Sequence, residues 1–135
     1  MKTILLLSVL AVLVNTSPAQ TKFYGHWYDR SPKDPDADMA SSWMTVEKDS
    51  TTFQVMDNQL VLTCKNKFQG DTLLLYVLIS DCGRLFYGTQ YHQPKRNSLF
   101  AKCYLDNNTM HTIYTQKLFK DHIKDFELCT VLYKH

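Results

Sequence analysis

Chemistry in this chain has to come from its histidines, cysteines and carboxylates. The five histidines, His26, His92, His111, His122 and His135, are scattered, and no H-E-x-x-H, G-x-S-x-G or Gly-rich phosphate loop occurs. A nucleophile needs a base within reach and a group that orients the base, and no spacing here suggests such a set. Asp34-Pro35-Asp36-Ala37-Asp38 has the alternating carboxylates that begin a calcium loop. Met39 stands where the sharp turn requires Gly, however, and Thr45 where a bidentate Glu is needed, so the stretch reads as a solvated loop. Cys64, Cys82, Cys103 and Cys129 are widely spaced with no C-x-x-C, which argues against a zinc knuckle. The expectation is a protein that is not an enzyme and has no cofactor and no metal.

The N-terminus decides the state of those cysteines. One positive charge in Met1-Lys2-Thr3, an apolar run from Ile4 to Val14 and small residues at Ser17-Pro18-Ala19 read as a secretory signal over residues 1–19. The run is shorter than the roughly 20 apolar residues that cross a bilayer, and no second hydrophobic span follows. Residues 20–135 are then a single soluble, extracellular domain. In an oxidising compartment the cysteines form two disulfides, with three possible connectivities. Asn107-Asn108-Thr109 is the one glycosylation sequon that remains after cleavage, so Asn107 marks a surface turn. Lys and Arg number 15 against 13 Asp and Glu, too even a balance for the phosphate attraction of a nucleic-acid binder. Eight Tyr, seven Phe and two Trp exclude a disordered chain.

The elements that must position any site are mostly strands. Short β-branched and aromatic runs alternate with turn chemistry, predicting strands over 23–29, 42–47, 51–56, 59–65, 71–80, 84–91, 98–106 and 109–116. A long polar loop, 30–41, follows the first. Leu118, Phe119, His122, Ile123 and Phe126 then recur at helical spacing, and 129–133 is again strand-like. The fold class is all-β. An eight-stranded antiparallel up-and-down barrel with one C-terminal α-helix outside fits this order, with a two-sheet sandwich as the alternative.

Gly25-His26-Trp27 in the first strand has the G-x-W pattern that opens lipocalins, and Thr89-Gln90-Tyr91 is similar to their T-D-Y motif with Gln for Asp. The long loop after the first strand and the order of elements also resemble that family. The resemblance implies a closed barrel end where Gly25, Trp27, Thr89, Tyr91 and the end of the eighth strand meet. The family's third motif places an Arg over the Trp ring. Here Tyr114-Thr115-Gln116-Lys117 has none, which leaves Lys117 as the cation–π partner. The resemblance further implies a Cys64–Cys129 bond, and with it Cys82–Cys103.

Interior and exterior residues alternate along a barrel strand. If Cys64 and Cys103 point outward to bond, then Val61, Thr63, Phe100, Lys102 and Tyr104 point inward; the opposite phase leaves Lys102 solvated. Trp43, Phe53, Tyr76, Tyr87 and Tyr114 are further lining candidates, giving an apolar pocket with a few polar anchors. The expected function is carriage or sequestration of a small hydrophobic or amphipathic ligand in a barrel cavity, as in lipocalins. The alternative is a secreted inhibitor or decoy, of the kind found in saliva or venom, that binds a host or receptor protein through its mouth loops or scavenges biogenic amines. Neither nucleic acid nor a membrane is an expected partner.

Overall fold

Alternation of buried and half-exposed side chains builds the wall. The computed structural model describes residues 17–40, 42–55, 60–81, 93–118 and 130–135. Its strands are β1 (Gly25–Tyr28), β2 (Ser42–Val46), β3 (Ser50–Val55), β4 (Leu60–Gln69), β5 (Thr72–Asp81), β6 (Leu99–Asp106), β7 (Thr109–Tyr114) and β8 (Val131–Lys134). One helical turn, α1 (Pro18–Thr21), precedes them, and a 3-10 turn (Ala37–Met39) lies in the loop after β1. In β2 the buried residues are Ser42, Met44 and Val46, and in β4 they are Leu60, Leu62 and Cys64. Every second residue thus faces the core, as a pleated strand with one solvated face requires.

Each strand pairs antiparallel with its neighbour in sequence, and β8 pairs back onto β1, closing an eight-stranded barrel. The strand expected over 84–91 lies outside the described residues. The ladder holds no strand between β5 and β6, because Thr72 to Tyr76 pair directly with Tyr104 to Leu99. Its eighth place is taken by β8, expected as an accessory ninth strand. The helix expected from Leu118 to Phe126 also lies outside the described residues, apart from buried Leu118. Among the described residues no helix is long and apolar enough to cross a membrane.

That substitution changes the ends of the barrel. With β5 paired directly onto β6, the strand over 109–114 is seventh and not eighth, so its C-terminus points away from the start of β1. Gln116 accordingly hydrogen-bonds Ser98 Oγ at 2.6 Å and the Leu99 carbonyl at 2.5 Å, at the opposite end from Gly25. Tight connections over 47–49, 70–71 and 107–108 gather at the end where β1 begins, which we call the base. The connections over 29–41, 56–59, 82–98 and 115–130 all leave from the other end, the mouth. Gly70 (φ 58) and Asn107 (φ 54) adopt the left-handed conformation that two-residue turns demand.

The base is sealed from within. Trp27, 1% exposed, donates from Nε1 to the Phe23 carbonyl at 2.8 Å. Phe23 and Tyr24 meet the Phe68 ring edge-on at 5.7 and 6.4 Å. Asn66 donates to the carbonyls of Glu47 (2.8 Å) and Ser50 (3.0 Å) and accepts from Thr51 Oγ1 (2.6 Å), which fixes the β2–β3 turn. Gly25 adopts φ 122, where L side chains are strained, and an added Cβ would lie 3.3 Å from Lys134 Cε. Gly25→Ala should therefore destabilise the fold by about 1–3 kcal/mol. Denaturant unfolding measures this, and the loss should shrink but persist in a Lys134→Ala background, where only the backbone strain remains.

Candidate functional site

The interior was the expected site, and its lining differs from expectation because the strand phase is reversed. Cys64 and Cys103 both face inward with no exposure. Val61 and Thr63 therefore turn outward and are half-buried, while Lys102 and Tyr104 turn outward and are exposed. The physical reason is the low polarity of an unpaired thiol, which packs as a small hydrophobe, against the cost of burying an ammonium. A bulge between β5 and β6 hid the phase, since Leu75 pairs with Ala101 but Tyr76 with Leu99. The extra residue lets both Phe100 and Ala101 be buried in succession.

Of the expected lining residues, Phe53 and Phe100 do face inward, and Tyr114 joins them half-buried toward the mouth. The three rings lie 5.4–6.3 Å apart at tilted angles, within the range in which aromatic pairs attract. Trp43 instead lies on the outer face, half-buried, with its indole N–H donating to Gln54 Oε1. Tyr76 is also on the outer, half-buried side of β5. Tyr104 stacks on His111 outside the barrel at 5.1 Å and 11°. Tyr87, Thr89 and Tyr91 lie outside the described residues.

The cation over the base tryptophan is Lys134, not Lys117. Its Nζ stands 5.3 Å from the Trp27 ring and donates to the Lys22 carbonyl at 3.2 Å. Lys117 follows the mouth end of β7, so the parity of the strands removes it from Trp27. Trp27 pairs directly with Lys134 in the β1–β8 ladder, and Leu132, two residues earlier, is buried on the same side; this register carries no signal in the sequence alone. Asn107 occupies the exposed β6–β7 turn, donating to Asp106 Oδ1 at 3.1 Å. A cleft at the base, lined by Lys22, Trp27, Leu105, Asn107, Asn108 and Lys134, was not anticipated.

Inside the wall, Met44, Phe53, Leu60, Leu62, Leu73, Leu75, Phe100, Met110 and Leu132 have no exposure at all. These described side chains belong to one buried hydrophobic cluster. The two buried cysteines are free thiols here, in place of the bonds expected to Cys129 and Cys82, both of which lie outside the described residues. Burial pushes the Cys64 thiol up to about 12, with nearby Cys103 adding to the shift. Burial likewise raises Cys103 to about 12 against a lowering contact from Thr112, whose Oγ1 lies 3.7 Å from its sulfur. Among the described residues no group of three or more His, Cys, Asp or Glu is placed to hold a metal ion.

The thiols give a measurable signature. Each is neutral when protonated and has a folded pKa above its value of 9.0 in the open chain, so the unfolded state ionises first as pH rises. Their contribution is whole below about pH 9 and should be lost progressively toward pH 12. The Cys64→Ala, Cys103→Ala variant should show a shallower alkaline decline in thermal denaturation. A thiol reagent at pH 8 should label neither residue in the native protein and both after unfolding. Absence of label after unfolding would establish disulfides instead.

No family model matches the chain, and no curated protein or solved structure matches it. What the structure shows is the architecture, an antiparallel eight-stranded closed barrel.

Proposed function

We propose that the protein is a secreted, lipocalin-like binding protein that acts without catalysis, using a filled barrel as a scaffold and recognising a protein partner through the mouth. The observation that carries this reading is that the described inward side chains, among them Met44, Phe53, Leu62, Phe100, Met110 and Leu132, are fully buried in one cluster. A carrier needs a pocket of several hundred Å³ for a drug-sized ligand, and the packed wall residues favour recognition outside it. The mouth supports the same reading. It collects four connections, and the 29–41 loop presents Met39, 69% exposed, directly after Asp34, Asp36 and Asp38 in sequence. A flexible exposed thioether suits a protein contact, and long connections on a rigid scaffold are where recognition usually resides.

A second reading has one specific observation behind it. Tyr114 is half-buried above Phe53 and Phe100, so a small amphipathic ligand could rest on that aromatic floor at the mouth.

Native mass spectrometry of protein purified from its own source separates the two. The first reading expects the bare or glycosylated mass, together with a complex containing a second protein. Met39→Asp should then weaken that complex about tenfold or more. A retained small apolar molecule at one per chain, lost in Tyr114→Ala, would overturn the first reading in favour of the second.

A further inference from the structure

The base cleft carries chemistry that neither reading of the mouth uses. It has a volume of about 470 Å³ and is lined by Lys22, Trp27, Leu105, Asn107, Asn108 and Lys134. We propose that this cleft is a binding site for a small organic anion, a carboxylate or a phosphate or sulfate monoester with a compact apolar body.

Charge is the first argument. Two lysines line one concavity, and among the described residues neither Lys22 nor Lys134 has an ion pair. The neighbouring carboxylate, Asp106, is engaged by the amide of Asn107 at 3.1 Å. Two like charges around an unshared space favour an anion between them, and the cleft's partial enclosure strengthens that attraction relative to open water.

Fixed geometry is the second argument. A lysine on a surface is normally a loose point charge, but Lys134 is held at two points. Its Nζ donates to the Lys22 carbonyl at 3.2 Å and stands 5.3 Å from the Trp27 ring. Gly25 makes room for its stem, because any Cβ there would lie 3.3 Å from Lys134 Cε. An ammonium has three donors, so the bond to Lys22 leaves donors for a ligand without releasing the side chain. The entropy of ordering this cation is spent in folding and not again at binding. Asn108 adds an amide donor, and Leu105 an apolar side chain, to the lining. The combination of a held cation, a second lysine, an amide and an apolar side chain matches an amphipathic anion better than a bare ion.

The test uses the secreted protein in a Trp43→Phe background, so that Trp27 is the sole indole reporter. Phenyl phosphate, octanoate and inorganic sulfate are titrated at low ionic strength by calorimetry and Trp27 emission, beside vesicles of phosphatidylserine and phosphatidylcholine. Saturable one-to-one binding of phenyl phosphate or octanoate is expected, tighter than sulfate and weakened by added salt. Lys22→Glu should weaken it at least tenfold with unchanged thermal stability, since only the Lys22 backbone supports the fold. Lys102→Glu, the same charge change on the outer wall, should leave it intact. Equal losses in both variants would reduce the effect to net charge and overturn the proposal. So would silence toward both soluble organic anions in the millimolar range, or binding to vesicles alone. Because the base and the mouth lie at opposite ends, failure here leaves the reading of the mouth untouched.

Discussion

Everything in this molecule depends on a short seam. Seven of the eight strand pairs join neighbours in sequence, so each can form as a local hairpin or across one connection. The eighth, β1 with β8, is recorded over Trp27 with Lys134 and Tyr28 with Tyr133. Without it the sheet would carry two open edges, a hazard that closed barrels abolish. The seam's strength is therefore borrowed from side chains: Trp27 buried beneath it, Lys134 across the ring, and His135 against Tyr28 with centroids 4.3 Å apart. Lys134 and Lys22, 112 residues apart in sequence, meet at this point. Such non-local contact forms late in folding, when the loop entropy has already been met.

The strand pattern was legible wherever one face is clearly buried. Ser42 to Val46, Leu60 to Cys64 and Thr109 to Tyr114 alternate cleanly, and their residues were expected as strands. Leu73, Leu74 and Leu75 are buried consecutively, whereas Ile79 further along the same strand is 65% exposed, so only the first part of β5 is covered on both faces. Strand composition, however, does not say which strands join one ladder. The 84–91 stretch and Val131 to Lys134 have similar character, and only pairing distinguishes them. That single ambiguity moved Gln116 and Lys117 from the base to the mouth.

The site was less legible, for a reason lodged in β6. Phe100, Ala101, Lys102 and Cys103 give no two-residue period, since two consecutive buried residues break the alternation. Assuming secreted cysteines to be bonded and outward then set the wrong phase. The charge of Lys102 argued for the opposite one, and desolvation of an ammonium outweighs the preference of a thiol. The aromatic trio of Phe53, Phe100 and Tyr114 survives the change because inward phase at Phe100 holds on either side of the bulge. The base cleft draws on Lys22, Leu105, Asn107 and Lys134, residues from three separate places in the chain, and only closure of the barrel brings them together.

The division between a tight end and a long end also governs how this molecule can change. Turns over 70–71 and 107–108 require left-handed residues and tolerate little. Connections at the mouth obey different arithmetic: doubling a flexible loop costs only about 0.6 kcal/mol, less than losing one buried leucine side chain. Insertions and deletions can accumulate there while the eight staves stay as they are. The barrel thus behaves as a handle with an editable tip, and a library of altered mouths on a constant base is a construction that its thermodynamics permits.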